Sequence, residues 1–339
     1  MRILIVKLSA LGDVIQTLPV LSLFKKANPF LEIDWVVDRR NADILFGHPQ
    51  LKRILVFSRN YLKSPFQIKN FLKELRKVSY DAVVDYQGLL KSGLITYFAR
   101  SSYKIGFSNA REGSRFFYNI KLPPYDPDLH ATRRYLILSK EVLKLFGLVE
   151  VLSEEDFKTI PEVKFSPELL EKKEFSYRPY ILFVPSARWE TKLWFFSAWE
   201  KLIKLLSGAG KKFNILISGS PEEETLKIWA EEMEKKYPYV FSTVGKISLK
   251  ELVSLINQAR LIVSVDTGPM HIASALKKKT IALFGPTSPK RTGPWGGEFK
   301  VIQKDLPCVP CFRKKCNTRE CMKNITPEEV KQIVEEFLF

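Results

Sequence analysis

Short apolar runs rich in β-branched residues recur along the chain, and longer stretches with helical spacing of apolar positions separate them. In the first half the strand-like runs are Ile3–Lys7, Ile33–Val37, Ile54–Phe57, Ala82–Asp85 and Lys104–Phe107. Helical patterns cover 15–27 and 66–78. The order returns later with Ile181–Val184, Asn214–Ser218, Val240–Val244, Leu261–Val265 and Thr280–Phe284. Helical patterns over 194–206 and 222–236 lie between those runs. Continuous apolar strands alternating with helices predict parallel α/β sheets covered on both faces. Two such series predict two Rossmann-like domains, over 1–165 and 179–325. The polar, Glu/Lys-rich stretch 166–178 is the expected linker. The last stretch, 326–339, is expected to be a helix that packs Val330, Ile333, Val334 and Phe337 on a domain.

In open parallel sheets ligands bind beyond the carboxyl ends of the strands. Segments that follow Lys7, Asp85, Val184, Ser218 and Val265 are therefore where chemistry is expected. Two domains of this kind are expected to face each other across a cleft.

Composition narrows the class. With 339 residues, 45% hydrophobic and 12% aromatic, the chain can build two cores, which rules out a mainly disordered protein. Lys and Arg number 54 against 37 Asp and Glu, a net charge of +17, so an anionic partner is expected. The excess is uneven: residues 1–140 hold 23 basic and 11 acidic residues, the remaining 199 hold 31 and 26. Charge alone leaves nucleic acid, a membrane surface and a phosphorylated substrate open. No zinc-finger spacing or RNA-recognition signature supports nucleic acid. Only four apolar residues follow Met1-Arg2 before Lys7, too few for a signal-peptide core, and no apolar run approaches a membrane span of about 18 residues. A cytoplasmic protein is expected.

The candidate chemistry sits in the loops. After the first run, Lys7 to Pro19 read K-L-S-A-L-G-D-V-I-Q-T-L-P, where Gly12 would permit a tight turn before a helix. Asp13 then stands near a helix N-terminus, as a capping carboxylate or as a general base. The loop has no G-x-G-x-x-G, which counts against a dinucleotide enzyme. After another run, Asp266, Thr267, Gly268 and Pro269 open a helix that also bears His271. Free amides and the helix dipole there suit a phosphate, while capping and packing explain the same residues without a ligand. Ser186, Arg188, Thr191 and Lys192 share one loop, either solvated or arranged for a pyrophosphate, with Lys192 able to neutralise a leaving diphosphate. Glu222, Glu223 and Glu224 follow a further strand and can accept ribose hydroxyls or simply begin a helix. Asp126 and Asp128 form a D-x-D in a Pro-rich stretch, where turn and cap roles suffice.

Six segments in order resemble glycosyltransferase family 9, the ADP-heptose:lipopolysaccharide heptosyltransferases, over nearly the whole chain. They are residues 7–19, D-A-V-V-D-Y-Q-G-L-L-K-S (81–92), H-x-x-x-R-Y-L (130–136), T-K-x-W (191–194), S-V-D-T-G-x-x-H-x-x-S-A-L (264–276) and F-G-P-T-x-P (284–289). The D-x-Q-G-L-x-K-S stretch is most similar to the family's heptosyltransferase I branch. The resemblance implies a GT-B fold with an acceptor-binding first domain and a second domain that binds ADP-heptose. It implies inverting transfer of heptose to the Kdo and inner-core region of lipopolysaccharide, without a required cofactor or metal. Asp13 then matches the catalytic base and Lys192 the diphosphate lysine. Ser186, Thr191, Asp266, Thr267, Gly268 and His271 match donor-binding positions, with Ser186 where many relatives have Thr. The ribose Glu falls on Glu222 or Glu223. Ser9, Gly12, Gln87, Arg59 and Lys63 are the acceptor-side candidates.

Arg59 and Lys63 belong to a basic stretch with Lys52, Arg53, Lys69, Lys73, Arg76 and Lys77, interleaved with Tyr61, Phe66 and Phe71. This is either a solvated helix face or a docking surface for Kdo-lipid A phosphates at the cytoplasmic face of the inner membrane. Cys308, Cys311, Cys316 and Cys321 fall within one short segment and can be disulfide-bonded, metal-bound or free. Transfer from another nucleotide sugar, or to an existing heptose, is the alternative activity.

Overall fold

In the computed structural model, which describes residues 1–171, 179–207 and 213–338, the apolar runs become strands of two parallel sheets. Among the described residues the chain divides into two compact units, Met1–Glu168 and Leu169–Phe339. The first holds β1 (Arg2–Val6), β2 (Glu32–Asp38), β3 (Arg53–Phe57), β4 (Ser79–Asp85), β5 (Arg100–Phe107) and β6 (Ile120–Leu122). Its helices are α1 (Leu11–Thr17), α2 (Pro19–Ala27), α3 (Pro65–Leu75), α4 (Leu90–Phe98), α5 (Ala131–Leu145) and the short α6 (Glu155–Lys158), and the short α7 (Pro167–Leu170) spans the boundary at Glu168. The second unit holds β7 (Tyr180–Val184), β8 (Asn214–Ile217), β9 (Val240–Ser242), β10 (Leu261–Val265), β11 (Thr280–Phe284) and β12 (Phe299–Gln303). Its helices are α8 (Phe196–Leu205), α9 (Glu224–Lys236), α10 (Leu249–Gln258), α11 (Gly268–Ala275), the short α12 (Pro289–Thr292) and α13 (Glu320–Lys323), and α14 (Pro327–Leu338).

Strand order is β3-β2-β1-β4-β5-β6 in one sheet and β12-β11-β10-β7-β8-β9 in the other. Numbered within its own unit, each sheet runs 3-2-1-4-5-6, the doubly wound order. The order reverses between β1 and β4, where Val6 lies opposite Asp85, and between β7 and β10, where Val184 lies opposite Ser264. These switch points open a crevice at the strands' carboxyl ends. The central strands are apolar on both faces and fully buried, as helices on both sides require. In the second unit Trp199 packs against Phe183 and Trp194 with ring centroids 5.0 Å away in each case. The Trp194 indole N–H donates to the Ile325 carbonyl at 3.0 Å, which ties the segment before α14 to this core.

The departures from the sequence reading have local causes. The single helix expected over 15–27 divides at Leu18, because Pro19 has no N–H to continue the ladder and instead occupies the first position of α2. Strands β6 and β12 were not expected: both are edge strands, and β12 (Phe-Lys-Val-Ile-Gln) buries only Ile302, so it shows no apolar run. Of the expected linker 166–178, residues 172–178 lie outside the described residues. Ser166 is buried and packs beside Gly47, and α7 follows directly, so this beginning is ordered packing.

His48 gives the first unit a pH dependence. Burial pushes its imidazole down to about 4 from 6.5, with the nearby Lys164 ammonium adding to the shift and a backbone hydrogen bond to Lys164 opposing it. Below pH 6.5 the unfolded chain takes up this proton before the folded chain does, so stability should fall as pH drops towards 4. The cost approaches on the order of 3 kcal/mol for this site. His48→Gln should flatten that part of the Tm-against-pH curve; an unchanged slope would assign the acid sensitivity elsewhere.

Candidate active site

At the first switch point β1 delivers Lys7, whose side chain is buried. Its ammonium donates to the Tyr86 carbonyl at 3.0 Å and to the Tyr135 hydroxyl of α5 at 2.8 Å, and lies 3.9 Å from Asp13 Oδ1. Burial alone would lower this amine. The Tyr135 oxygen and the carboxylates of Asp13 and Asp85 outweigh burial, so its pKa lies above the ordinary lysine value. Asp13 is the third residue of α1, and its Oδ2 accepts the Ala10 amide at 2.9 Å. One carboxylate oxygen thus caps the helix while the other faces the buried cation. The capping and chemical readings of Asp13 are compatible.

The turn after β4 completes this corner. Asp85 is buried and accepts the Gln87 and Gly88 amides at 2.8 and 2.9 Å and the Tyr118 hydroxyl at 2.7 Å. Burial pushes its carboxyl up, opposed by those hydrogen bonds. Gly88, at φ +66°, lets the chain turn there. Gln87 Oε1 in turn accepts the Leu8 and Ser9 amides at 3.1 and 3.0 Å, so this side chain fixes the β1 loop. A cavity of about 150 Å³ results, lined by Lys7, Asp13, Gln87, Arg111, Arg134 and Tyr135 among others. Arg134 stacks on the Tyr125 ring at 4.7 Å, which fixes its guanidinium at the rim.

Not every acceptor-side candidate gathers here. Gly12 lies buried inside the first turn of α1, which begins at Leu11 with Ala10 as its cap, so it supplies no turn before the helix. Arg59 and Lys63 lie on an exposed 3-10 turn; Arg59 Nε is 3.9 Å from Asp38, and Lys63 lines an open groove along α3 with Lys69, Lys73 and Arg76. Ser9 is held by its amide to Gln87 beside the cavity lining.

At the second switch point the loops after β7 and β10 meet. Lys192 Nζ lies 2.7 Å from Asp266 Oδ2, which also accepts the Thr287 hydroxyl at 2.7 Å. The Lys192 ammonium sits 4.8 Å above the Trp189 ring, and the Lys314 ammonium 5.4 Å from that ring. Thr267 caps α11 through its backbone alone, with no side-chain cap bond, and Gly268-Pro269 begin the helix. The first amides of α11, left without a side-chain cap, are suited to accept an anion. Ser186 Oγ donates to Glu223 at 2.5 Å, and Glu223 also accepts the Ser220 amide at 2.8 Å. Glu222 is exposed and bonds the Ser220 hydroxyl.

Two donor-side candidates are already committed. The Thr191 hydroxyl is buried and donates to the Arg313 carbonyl at 2.7 Å, which anchors the cysteine-bearing loop. His271 is buried and stacks on Trp295 at 5.9 Å, holding the Gly/Pro-rich loop after α12. That loop itself carries no disulfide partner for the cysteines: all four thiols are free, with Cys321 buried and Cys308 and Cys316 exposed. Burial pushes the Cys321 thiol up, while the Arg319 amide at 3.4 Å lowers that of Cys316. Among the described residues no group of three or more His, Cys, Asp or Glu is placed to hold a metal. Asp126 accepts the Asp128 amide at 2.8 Å, a turn.

Sequence reasoning missed the roles of Lys7, Arg111, Arg134, Tyr135 and Thr287. Arg134 and Tyr135 stand in H-x-x-x-R-Y-L, and Thr287 in F-G-P-T-x-P, so their motifs were the available signal. Arg111 lies in a loop with no such signal.

Two doubly wound units, each with its polar residues at the switch point, define the GT-B class of glycosyltransferase. The model of glycosyltransferase family 9 (heptosyltransferase) matches residues 68–322. The chain is 32% identical to lipopolysaccharide heptosyltransferase 1 of Pseudomonas aeruginosa, over 93% of this chain and 87% of that protein. It is 32% identical to the Escherichia coli K12 protein of the same name, over 89% and 93%. The structure of E. coli heptosyltransferase WaaC with ADP superposes with a TM-score of 0.81 at 28% identity, covering 99% of this chain and all of that one. That of E. coli ADP-heptose lps heptosyltransferase II superposes at 0.80 and 22% identity over 100% and 98%, a likeness of fold. The chain belongs to glycosyltransferase family 9 and is a glycosyltransferase.

Proposed function

We propose that this chain transfers heptose, with inversion, from ADP-heptose to the Kdo of Kdo-lipid A or a related lipopolysaccharide precursor. The observation that carries the chemistry is the Lys192–Asp266–Thr287 cluster beside the amides of α11, an ion-paired corner at the second switch point whose ammonium a diphosphate can take over. The donor's diphosphate takes up Lys192 and the Thr267-Gly268 helix start, displacing Asp266 from the ammonium. Glu223, fixed by Ser186 and the Ser220 amide, is the carboxylate for the ribose hydroxyls.

In the first unit Asp13 removes the proton from the acceptor hydroxyl. The oxygen then attacks the anomeric carbon of heptose from the face opposite the diphosphate, and ADP leaves with its charge balanced by Lys192 and the α11 amides. Lys7, held by Tyr135 and Tyr86, keeps a positive charge 3.9 Å from Asp13 Oδ1. Arg111 and Arg134 at the cavity rim suit the carboxylate of an acidic sugar such as Kdo. The exposed cations of the α3 groove, Lys63, Lys69, Lys73 and Arg76, suit lipid A phosphates, which supports a reaction at the cytoplasmic face of the inner membrane.

Donor competition tests this reading. ADP-heptose should be used on Kdo-lipid A in preference to UDP- and GDP-sugars, and in preference to an already heptosylated acceptor. Turnover should survive a chelator, because Lys192 and the helix amides supply the charge for the leaving group. A UDP- or GDP-sugar used equally well would remove the donor assignment, and preference for the heptosylated acceptor would move the step one sugar outward.

A further inference from the structure

Helix α4 is built inside out. Its inward face is Ser92, Gly93 and Thr96, with Ile95 as the one large apolar side chain buried. Leu90, Leu94, Tyr97 and Phe98, at positions i, i+4, i+7 and i+8, share the outward stripe and are all exposed, Tyr97 by 54%. A helix of a water-soluble domain ordinarily shows the reverse. The small inward face has a local use: the 3-10 turn Ser114–Phe117 crosses there, and a Cβ on Gly93 would meet Phe117 Cδ2 at 2.7 Å. Phe117 then packs edge-on to Tyr97 at 5.8 Å, and Tyr97 to Phe98 at 5.3 Å. Phe116, on the same turn, is 73% exposed.

The apolar surface is rimmed by cations. The Lys104 ammonium lies 5.0 Å over the Tyr97 ring and donates to the Tyr97 carbonyl, and the Arg115 guanidinium lies 5.1 Å over Phe116. Lys91 is on α4 itself. Across residues 88–121 there are six Lys and Arg and one acid, Glu112. Apolar and aromatic side chains on one face with cations around them fit the boundary between headgroups and acyl chains of an anionic bilayer. At nine residues, about 13 Å long, α4 can lie in that boundary and is too short to cross it. A second copy of this chain fits poorly, since it would set one cationic rim against another.

We propose that the face formed by α4 and the Ser114–Phe117 turn docks on an anionic phospholipid bilayer, with Leu94, Tyr97, Phe98 and Phe116 inserted and Lys91, Lys104 and Arg115 on lipid phosphates. This surface is separate from the α3 groove. It borders the Asp13 cavity, because the Arg111 amide donates to the Gly88 carbonyl at 2.9 Å and both residues line that cavity. A lipid-linked acceptor would meet Asp13 from this side; only that purpose rests on the proposed transfer to Kdo-lipid A.

The test is flotation of the full chain with vesicles of phosphatidylethanolamine and phosphatidylglycerol, against vesicles of phosphatidylcholine alone. The wild type should bind the anionic vesicles, and L94E/F116E should lose about tenfold or more of that partitioning. K235E, which changes the charge equally but on α9 of the second unit, should stay within about twofold of wild type. L94A/F116A, which adds no charge, should show a smaller loss in the same direction and serves if the acidic variant fails to fold. Turnover on a delipidated, water-soluble acceptor should be the same for wild type and variants. Equal vesicle binding by L94E/F116E and wild type would overturn the proposal. So would a wild-type dimer that L94E/F116E makes monomeric without either chain binding vesicles. Vesicle binding that depends on Leu94 and Phe116 in a chain that does not transfer heptose to Kdo-lipid A would support docking and remove the proposed donor and acceptor alone.

Discussion

Asp13→Asn is expected to lower kcat for heptose transfer by roughly 10²- to 10⁴-fold, the usual worth of a positioned general base. Asn is the informative substitution because its amide oxygen can still accept the Ala10 amide, which Asp13 Oδ2 does at 2.9 Å. The cap is thus retained while the basic oxygen facing Lys7 is removed. Tm should change little, since capping interactions are worth about 1 kcal/mol and this one persists. KM for the donor should also stay near wild type, because the residues proposed for the donor lie in the second unit. A variant with near-normal kcat would confine Asp13 to the capping role; a variant with low activity and a large fall in Tm would make its effect structural.

Lys192→Ala should reduce kcat/KM for the nucleotide sugar by roughly 10²- to 10³-fold, as loss of a charge stabiliser on the leaving group does. It has a structural side effect that must be separated. Asp266 is buried and shares its Oδ2 between Lys192 and Thr287, so losing the ammonium leaves a buried carboxylate held by the Thr287 hydroxyl without its counter-charge. That costs about 1–3 kcal/mol. The double variant Lys192→Ala/Asp266→Asn removes the uncompensated charge and should recover most of the stability without recovering activity. Recovery of both together would mean that Lys192 only balances Asp266 and does not act on the diphosphate.

Much of the fold was legible because parallel strands buried on both faces appear as unbroken apolar runs. β10 and β11 begin and end where the runs do, at Leu261–Val265 and Thr280–Phe284. β6 and β12 were not legible, since an edge strand such as Phe299–Gln303 need not be apolar on both faces. The candidate site followed the same division. Asp266 stands directly after β10, and Asp13 and Lys192 lie in the segments that follow β1 and β7 at the switch points, where strand order alone directs attention. Their partners did not: Tyr135 is 128 residues from Lys7, and Thr287 is 21 from Asp266. Such pairs arise from helix packing and loop closure, which periodicity does not encode. The same limit applies to side chains whose polar atoms turn out to be occupied. Thr191 reads as a donor contact in sequence, but its hydroxyl anchors Arg313. Gln87 reads as an acceptor contact, but its carbonyl holds Leu8 and Ser9. The inverted face of α4 was hidden for a different reason: an apolar stripe at helical spacing ordinarily means a buried face, and only exposure distinguishes the two.

The most direct measurement is the mass of Kdo-lipid A after incubation with ADP-heptose and the purified chain. One added heptose with the wild type, and none on the same timescale with Asp13→Asn, is the expected result. An unaltered acceptor with folded wild-type protein, or heptose added by Asp13→Asn at the wild-type rate, would contradict it.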